Sequence, residues 1–251
     1  MNYPNRVIKK GEKNKTVVKA LQQKLNEVGC GPIDVDGDFG PQTFKAVKQY
    51  QATRRDQNGN PLEIDGKVGS ITWSVMFGEP TIIVTQEPAN DFLKEALKVA
   101  VSQLGVMEKP LGSNRGPEVD KYLASVGLGP GQFWCMAFVY YCFNKAAEKL
   151  DRNNPLVKTG HCMTHWNSTN GKKIIASNAV NNPSLVKPGQ IFIINTGGSS
   201  GHTGIVEKLE GGFLHTIEGN SNTSGSRNGI GVFRLVSRKI TKINRGFIEY
   251  K

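Results

Sequence analysis

Four residues in the second half of the chain have the types and neighbours that thiolate chemistry needs. Cys135 stands where a run of backbone breakers, Gly127-Leu-Gly-Pro-Gly-Gln-Phe-Trp134, gives way to the apolar stretch Cys135-Met-Ala-Phe-Val-Tyr-Tyr-Cys-Phe. A cysteine in the first turn of a helix lies at the positive end of the dipole, which favours the attacking thiolate. Such a nucleophile needs a base in reach, and the base needs a polar group that holds it in one tautomer. His202 opens the run His-Thr-Gly-Ile-Val-Glu directly after Thr196-Gly-Gly-Ser-Ser-Gly201, a small-residue loop that leaves an imidazole approachable. The next run, Phe213-Leu-His-Thr-Ile-Glu218-Gly-Asn220, offers Glu218 and Asn220 as orienting groups. Strand alternation sets Leu214, Thr216 and Glu218 on one face and His215 and Ile217 on the other. A hairpin through Glu210-Gly-Gly212 would bring His202 opposite Glu218 or Asn220 at one end of a sheet. Cys135 packed against that end would complete a Cys, His, Glu/Asn constellation.

Positioning these groups requires helices first and a sheet after. Asn90 or Asp91 can cap a helix on which Phe92, Leu93, Ala96, Leu97, Ala100, Val101 and Leu104 form an apolar stripe ending at Gly105. A helix containing Val119, Tyr122 and Leu123 follows, then the one opened by Cys135. From Ile191 the pattern turns to short β-prone runs, Ile191 to Asn195, Thr203 to Lys208, Phe213 to Ile217, Val232 to Val236 and Phe247 to Tyr250, split by glycine-rich turns. That order predicts an α+β domain over 91–251 with an antiparallel sheet.

The first third is organised differently. Val17, Val18, Leu21, Leu25 and Val28 recur at helical spacing before Gly29, so Thr16 to Val28 reads as an amphipathic helix. Asp34-Val-Asp-Gly-Asp-Phe-Gly-Pro41 is a run of turn formers, after which Thr43, Phe44, Val47 and Tyr50 start a second helix. The theme returns in short form as Ile64-Asp-Gly-Lys-Val-Gly-Ser-Ile-Thr72-Trp73, with Thr72 able to cap a third helix. This predicts a three-helix unit over 7–79, joined by a proline-bearing linker at 80–90 to the second domain.

Composition narrows the classes of function. Hydrophobic residues make up 37% of the 251 and charged ones 21%, which predicts a packed globular protein. No apolar run approaches the roughly 18 residues of a spanning helix. The net charge of +11 lies mostly in residues 91–251, with 20 basic and 11 acidic side chains against 12 and 10 before them. A surface so charged attracts polyanions: nucleic acid, anionic membrane or bacterial wall polymers. No nucleic-acid motif or basic–aromatic stripe is present, so nucleic acid is not expected as a partner. The N-terminus lacks the apolar stretch of a secretory signal, which predicts a cytoplasmic protein reaching the wall or periplasm only by a holin or another route.

The remaining candidates weigh less. Cys142 falls two helical turns after Cys135 and is expected in the core; Cys30 follows a helix end and is expected half-buried. Cys162 and His165 with His161 hint at a metal cluster, yet no second Cys/His pair at zinc spacing exists. Asp34, Asp36 and Asp38 resemble part of a calcium loop, but Lys45 stands where the closing Glu belongs. No metal or other cofactor is expected.

Two resemblances follow from these residues. Val18-x-x-Leu-Gln-x-x-Leu-Asn-x-x-Gly29, Asp36-Gly-Asp-Phe-Gly with Thr43, Ala46, Val47 and Gln51, and Asp65-Gly-Lys-Val-Gly with Thr72-Trp73 resemble the three-helix peptidoglycan-binding module of many cell-wall hydrolases. That resemblance implies docking on the wall polymer, with Asp36, Phe39 and Trp73 as candidate contacts, although core packing is the favoured role of the two aromatics. Ser113-Asn-Arg-Gly-Pro with Val119-Asp-Lys-Tyr122, Trp134-Cys135 with Ala137-Phe138-Val139, Gly201-His202-x-Gly-Ile-Val, and Glu218-Gly-Asn220 resemble the CHAP family of cysteine- and histidine-dependent amidohydrolases and peptidases, which have a papain-like core. This resemblance implies Cys135 as nucleophile, His202 as base, Glu218 as orienting group and Asn220 as helper, with Trp134 a candidate substrate contact. Several relatives carry an acidic calcium loop ahead of the cysteine, whereas here only Glu118 and Asp120 lie between Pro110 and Trp134, so calcium is not expected. The joined modules look like a bacteriophage endolysin, a monomer that cuts an amide of bacterial peptidoglycan and whose basic surface meets anionic outer-membrane or wall polymers. A secreted wall-amidase toxin, a host autolysin and a non-catalytic wall-binding protein are the alternatives.

Overall fold

The computed structural model describes residues 1–78, 87–198, 200–225 and 228–251, so residues 80–86 of the expected linker lie outside the described residues. The chain divides into two compact units, each with its own apolar core.

The first unit is built on α1 (Lys15–Glu27), α2 (Pro41–Thr53) and α3 (Ser70–Phe77). Asn14 caps α1, its side-chain oxygen accepting from the Val17 N–H at 3.2 Å, and Pro41 opens α2 where a missing N–H costs nothing. The helices bury Val18, Leu21, Leu25, Val47, Tyr50 and Trp73 against one another. Thr72 does not cap α3 as expected. The helix begins earlier, at Ser70 after Gly69, and the Thr72 hydroxyl instead accepts from Gln51 inside the unit.

The second unit carries α4 (Asp91–Ser102), α5 (Pro117–Ser125), α6 (Cys135–Lys149), α7 (Cys162–Ser168), β1 (Lys172–Ile175), α8 (Ala176–Asn181), β2 (Ile191–Gly197), β3 (Ser200–Glu210), β4 (Phe213–Ser221), β5 (Gly231–Lys239) and β6 (Gly246–Glu249). Asn90 caps α4 by accepting from the Leu93 N–H at 2.9 Å. Among the described residues the six strands form one sheet in the order β1-β6-β2-β3-β4-β5, an α+β arrangement in which consecutive strands β2 to β5 lie side by side. Helix α6 is buried on most of its faces and packs on α4, α5 and β4, which explains why its sequence is apolar rather than striped. Strands β2 to β5 run longer than their apolar cores suggested, because polar residues such as Glu218, Asn220 and Arg238 continue the ladder. The helices α7 and α8 and strand β1, short and without a clean period, were not expected.

Candidate active site

The site forms where the start of α6 meets the neighbouring strands β3 and β4. The loop before α6 ends at Trp134, whose backbone carbonyl accepts from the Phe138 N–H at 2.8 Å and so begins the helical ladder one residue ahead of Cys135. The thiol therefore sits in the first turn and receives the Met136 N–H. Gly219 lets β4 come this close to α6: a methyl there would lie 2.6 Å from the Phe138 side chain and 2.8 Å from the Trp134 ring. Gly201 does the same for β3 against α7, since a Cβ would lie 2.8 Å from that of Cys162. The glycines flanking His202 and Glu218 are thus clearance residues for the elements that carry the two cysteines.

His202 and Glu218 are both fully buried, and the imidazole Nε2 lies 2.7 Å from Glu218 Oε2. Nδ1 is then left for Cys135. Their contact lies outside ordinary hydrogen-bond geometry, and Nδ1 has no conventional partner among the described residues, yet thiol and ring are near enough to shift each other's titration. Uncomplexed catalytic pairs are often this loose. Cys135 retains 4% exposure while His202 retains none, so a substrate would meet sulfur first.

The electrostatics push the pair toward charge separation. Cys135 is held well below the usual thiol range, first by the Cys162 thiol 3.7 Å from its Sγ, then, against the opposing effect of burial, by the neighbouring His202 imidazolium. Burial would push His202 down, but the neighbouring Cys135 thiolate and the hydrogen bond and charge of Glu218 outweigh it and lift the imidazolium to about 9. Burial would likewise raise Glu218, and His202 followed by Arg238 brings it to about 2. Cys162 moves the opposite way, well up, through its bond to Cys135 and burial. Two neighbouring thiols driven apart in this manner suit one thiolate and one thiol that donates to it.

Other expected residues land elsewhere. Asn220 is buried beside the site with φ of 52°, and neither polar atom of its side chain has a partner among the described residues. Trp134 is fully buried and donates from its indole N–H to Glu108 at 2.9 Å, so it packs the core and does not face substrate; the exposed neighbour is Phe133. Phe39 and Trp73 are likewise sealed in the first unit's core, and core packing replaces their expected wall contact. Asp36 is exposed, but its Oδ1 is occupied by the Gln22 amide at 2.7 Å and the Asp38 N–H at 2.8 Å, a turn-forming role. Cys142 is in the core as expected, whereas Cys30 is buried rather than half-buried. Cys162 and His165 do not converge: His165 meets the Tyr250 hydroxyl at 2.7 Å, and burial brings it down to about 4. Among the described residues, no cluster of His, Cys, Asp and Glu could hold a metal ion.

The sequence did not mark two residues as neighbours of the site. Cys162 drew notice only as a candidate metal ligand, because only the fold brings α7 beside α6. Arg238 on β5 donates from Nε to Glu218 Oε1 and from Nη2 to Oε2, both at 2.7 Å. No strand pairing could have been the signal, because Arg238 stands opposite Leu214 while Glu218 stands opposite Phe233.

Comparison with known proteins gives two family matches. Residues 14–76 match the model described as a peptidoglycan binding domain, and residues 127–220 match the CHAP domain. The second stretch contains Cys135, His202, Glu218 and Asn220; Arg238 lies beyond it. An uncharacterized protein in the bpoA1 3' region of Kitasatospora aureofaciens is 43% identical over 58 residues, 23% of this chain. The chain spans 44% of that relative's length. No solved structure matches.

Proposed function

We infer from the two domains this chain carries, a peptidoglycan binding domain and a CHAP domain, that it is a peptidoglycan hydrolase in which one part holds the wall polymer and the other cuts it. The binding part is assigned to residues 7–79 and the cutting part to 91–251. The bond cut is an amide: either the one joining stem peptide to N-acetylmuramic acid or one within the peptide. The single observation that carries this reading is the convergence of Cys135, His202 and Glu218 on one buried cluster, with thiol and imidazole shifted toward an ion pair.

In the proposed reaction the Cys135 thiolate attacks the amide carbonyl, and the oxyanion that forms is met by backbone N–H groups at the start of α6. His202 gives its proton to the departing amine as the C–N bond breaks, leaving a thioester. A water molecule, deprotonated by His202, then attacks the thioester and releases the carboxylate product, restoring the thiolate and imidazolium. Glu218 keeps Nε2 protonated and the ring fixed, so that Nδ1 is the nitrogen that moves the proton. The positive charge, concentrated after residue 91, favours approach to an anionic wall.

Mass spectrometry of purified peptidoglycan digested with the intact protein tests this. New free amines and carboxylates with uncut glycan strands are expected; glycan freed of peptide identifies the muramoyl amide, and new peptide termini identify an endopeptidase. New reducing sugar ends without amide cleavage would overturn the reading.

A further inference from the structure

The Glu218 carboxylate accepts from four donors at 2.6–2.7 Å: the Thr216 hydroxyl and Arg238 Nε on Oε1, and Arg238 Nη2 and His202 Nε2 on Oε2. Ser221 adds a longer contact at 3.4 Å. Arg238 is not an ordinary surface partner. Its side chain is 13% exposed, its guanidinium lies 5.3 Å from the Phe192 ring centroid, and Nη2 also reaches the Gly225 carbonyl at 3.4 Å. A two-point fork fixes the plane of a carboxylate, which a single ammonium contact cannot do.

We propose that Arg238 is a positioning residue of the amide-cleaving site, whose fork keeps the Glu218 carboxylate charged and turned so that Oε2 faces His202. This rests on the Cys135, His202 and Glu218 reading above and deepens it. With Arg238 included, the thiolate, imidazolium, carboxylate and guanidinium alternate in sign and sum to zero in a buried site. Without it, a fully buried carboxylate must be balanced by His202 alone, and burial drives it to take up a proton. A neutral Glu218 no longer supports the imidazolium. Among the described residues, the titratable and charged groups facing this pair are Cys135 from α6, Cys162 from α7 and Arg238 from β5.

The test measures kcat, KM and their pH dependence on soluble peptidoglycan fragments for the intact protein, Arg238→Met, Arg238→Lys and Cys135→Ala, with the folded fraction determined for each. Arg238→Met is expected to lower kcat on the order of 10-fold or more with KM little changed. The acid limb of its pH profile is expected to move up by on the order of one unit, because Glu218 then protonates at higher pH. Arg238→Lys, which keeps a charge and loses the fork, is expected to fall between. The thiolate's ultraviolet absorbance, followed against pH, reports the same shift without turnover. Wild-type kcat and an unmoved acid limb in both Arg238 variants, with Cys135→Ala inactive, would overturn this role alone. If Arg238→Met does not fold, wild-type values in Arg238→Lys are enough to overturn it. Lysis by Cys135→Ala would instead overturn the underlying reading.

Discussion

In the first unit Gln22 is buried and its amide is spent completely: Nε2 donates to Asp36 Oδ1, the Asp38 carbonyl and Thr43, while Oε1 accepts from the Gly37 N–H. Gln51 repeats this with Asp65, the Lys67 carbonyl, Thr72 and the Gly66 N–H, at the same separations of 14, 16, 21 and 15 residues. In the second unit Glu218 is just as buried and just as crowded, yet its partners are Arg238 and His202, with Cys135 beyond. Both hubs satisfy a buried polar group at a chain reversal or a strand end. The Gln hubs bury a neutral amide with nothing to titrate, so they can only fix two Asp-Gly turns onto two helices. The Glu hub buries groups whose titrations are driven apart, and such separation is what acid–base and nucleophilic chemistry requires.

The largest effect expected from breaking the second hub is at Cys135. Cys135→Ala is expected to abolish peptidoglycan cleavage, on the order of 10⁴-fold or more, while wall binding and folding persist. Cys142→Ala, in the same helix but removed from His202, is expected to stay active apart from a core cavity. Turbidity loss of isolated walls, with a pull-down on the same walls, checks both. Next comes Glu218→Gln, expected to lose on the order of 100-fold in turnover, since an amide orients the ring but does not balance its charge. It also leaves the Arg238 cation without its carboxylate, so thermal stability is expected to fall with activity. Asn220→Ala, lacking hydrogen bonds to lose among the described residues, is expected to cost less. If Asn220→Ala is the crippled variant and Glu218→Gln is near wild type, the orienting role belongs to Asn220.

What could be read from the sequence follows the same division. The Asp-Gly turns, the helix ends at Gly29 and Gly105 and the caps at Asn90 and Pro41 are local signals, and they placed most elements within a residue or two. The Cys135, His202 and Glu218 cluster was legible because each residue marks an element boundary: a loop becoming a helix, a loop becoming a strand, a strand nearing its end. Arg238 and Cys162 were not, since what places them is register and packing. Arg238 stands opposite Leu214 while Glu218 stands opposite Phe233, so no strand pairing announces their contact, and nothing near Cys162 in the chain tells that α7 lies against α6. Trp134 shows the converse error, while Phe39 and Trp73 fill the core as their packing reading favoured. An aromatic beside a functional motif reads as a ligand contact, whereas in small units large rings are needed to fill the core.

Protonation offers a milder way to set the hubs against each other. Turnover is expected to fall as pH rises through about 9, where His202 loses the proton it must deliver. Stability follows with definite signs. The His202 value lies above its ordinary 6.5, so its contribution is complete below that and lost as pH climbs through 9. The Glu218 value lies below its ordinary 4.5, so its contribution is present above that and lost as pH falls toward 2. Gln22 and Gln51 have no proton to exchange. Amide hydrogen exchange on the intact protein is therefore expected to show α6, β3 and β4 loosening above pH 9, after correction for intrinsic rates, while α1 to α3 stay level. Equal loosening in both units would remove the distinction.

The smallest effect on chemistry is expected from the Gln hubs themselves. Gln22→Ala removes the acceptor of the buried Gly37 N–H and leaves Asp36, Thr43 and the Asp38 carbonyl without a common donor. Leaving the buried Gly37 N–H unsatisfied costs about 1–3 kcal/mol. Gly37 lies at φ of 82°, and this bond holds its turn together with that of the Asp38 N–H to Asp36. Gln51→Ala is expected to cost a similar amount, because its partners stand in the same pattern, although the longer 3.4 Å reach to Thr72 suggests the smaller loss of the two. Thermal unfolding followed by the fluorescence of Trp73, in a protein whose Trp134 and Trp166 are replaced by Phe, isolates the first unit. Turnover on soluble fragments, which do not need wall docking, is expected to stay unchanged in both single variants. A loss of turnover on soluble fragments equal to the loss on whole walls would show that the neutral hubs take part in the chemistry and are not only the frame of the binding unit.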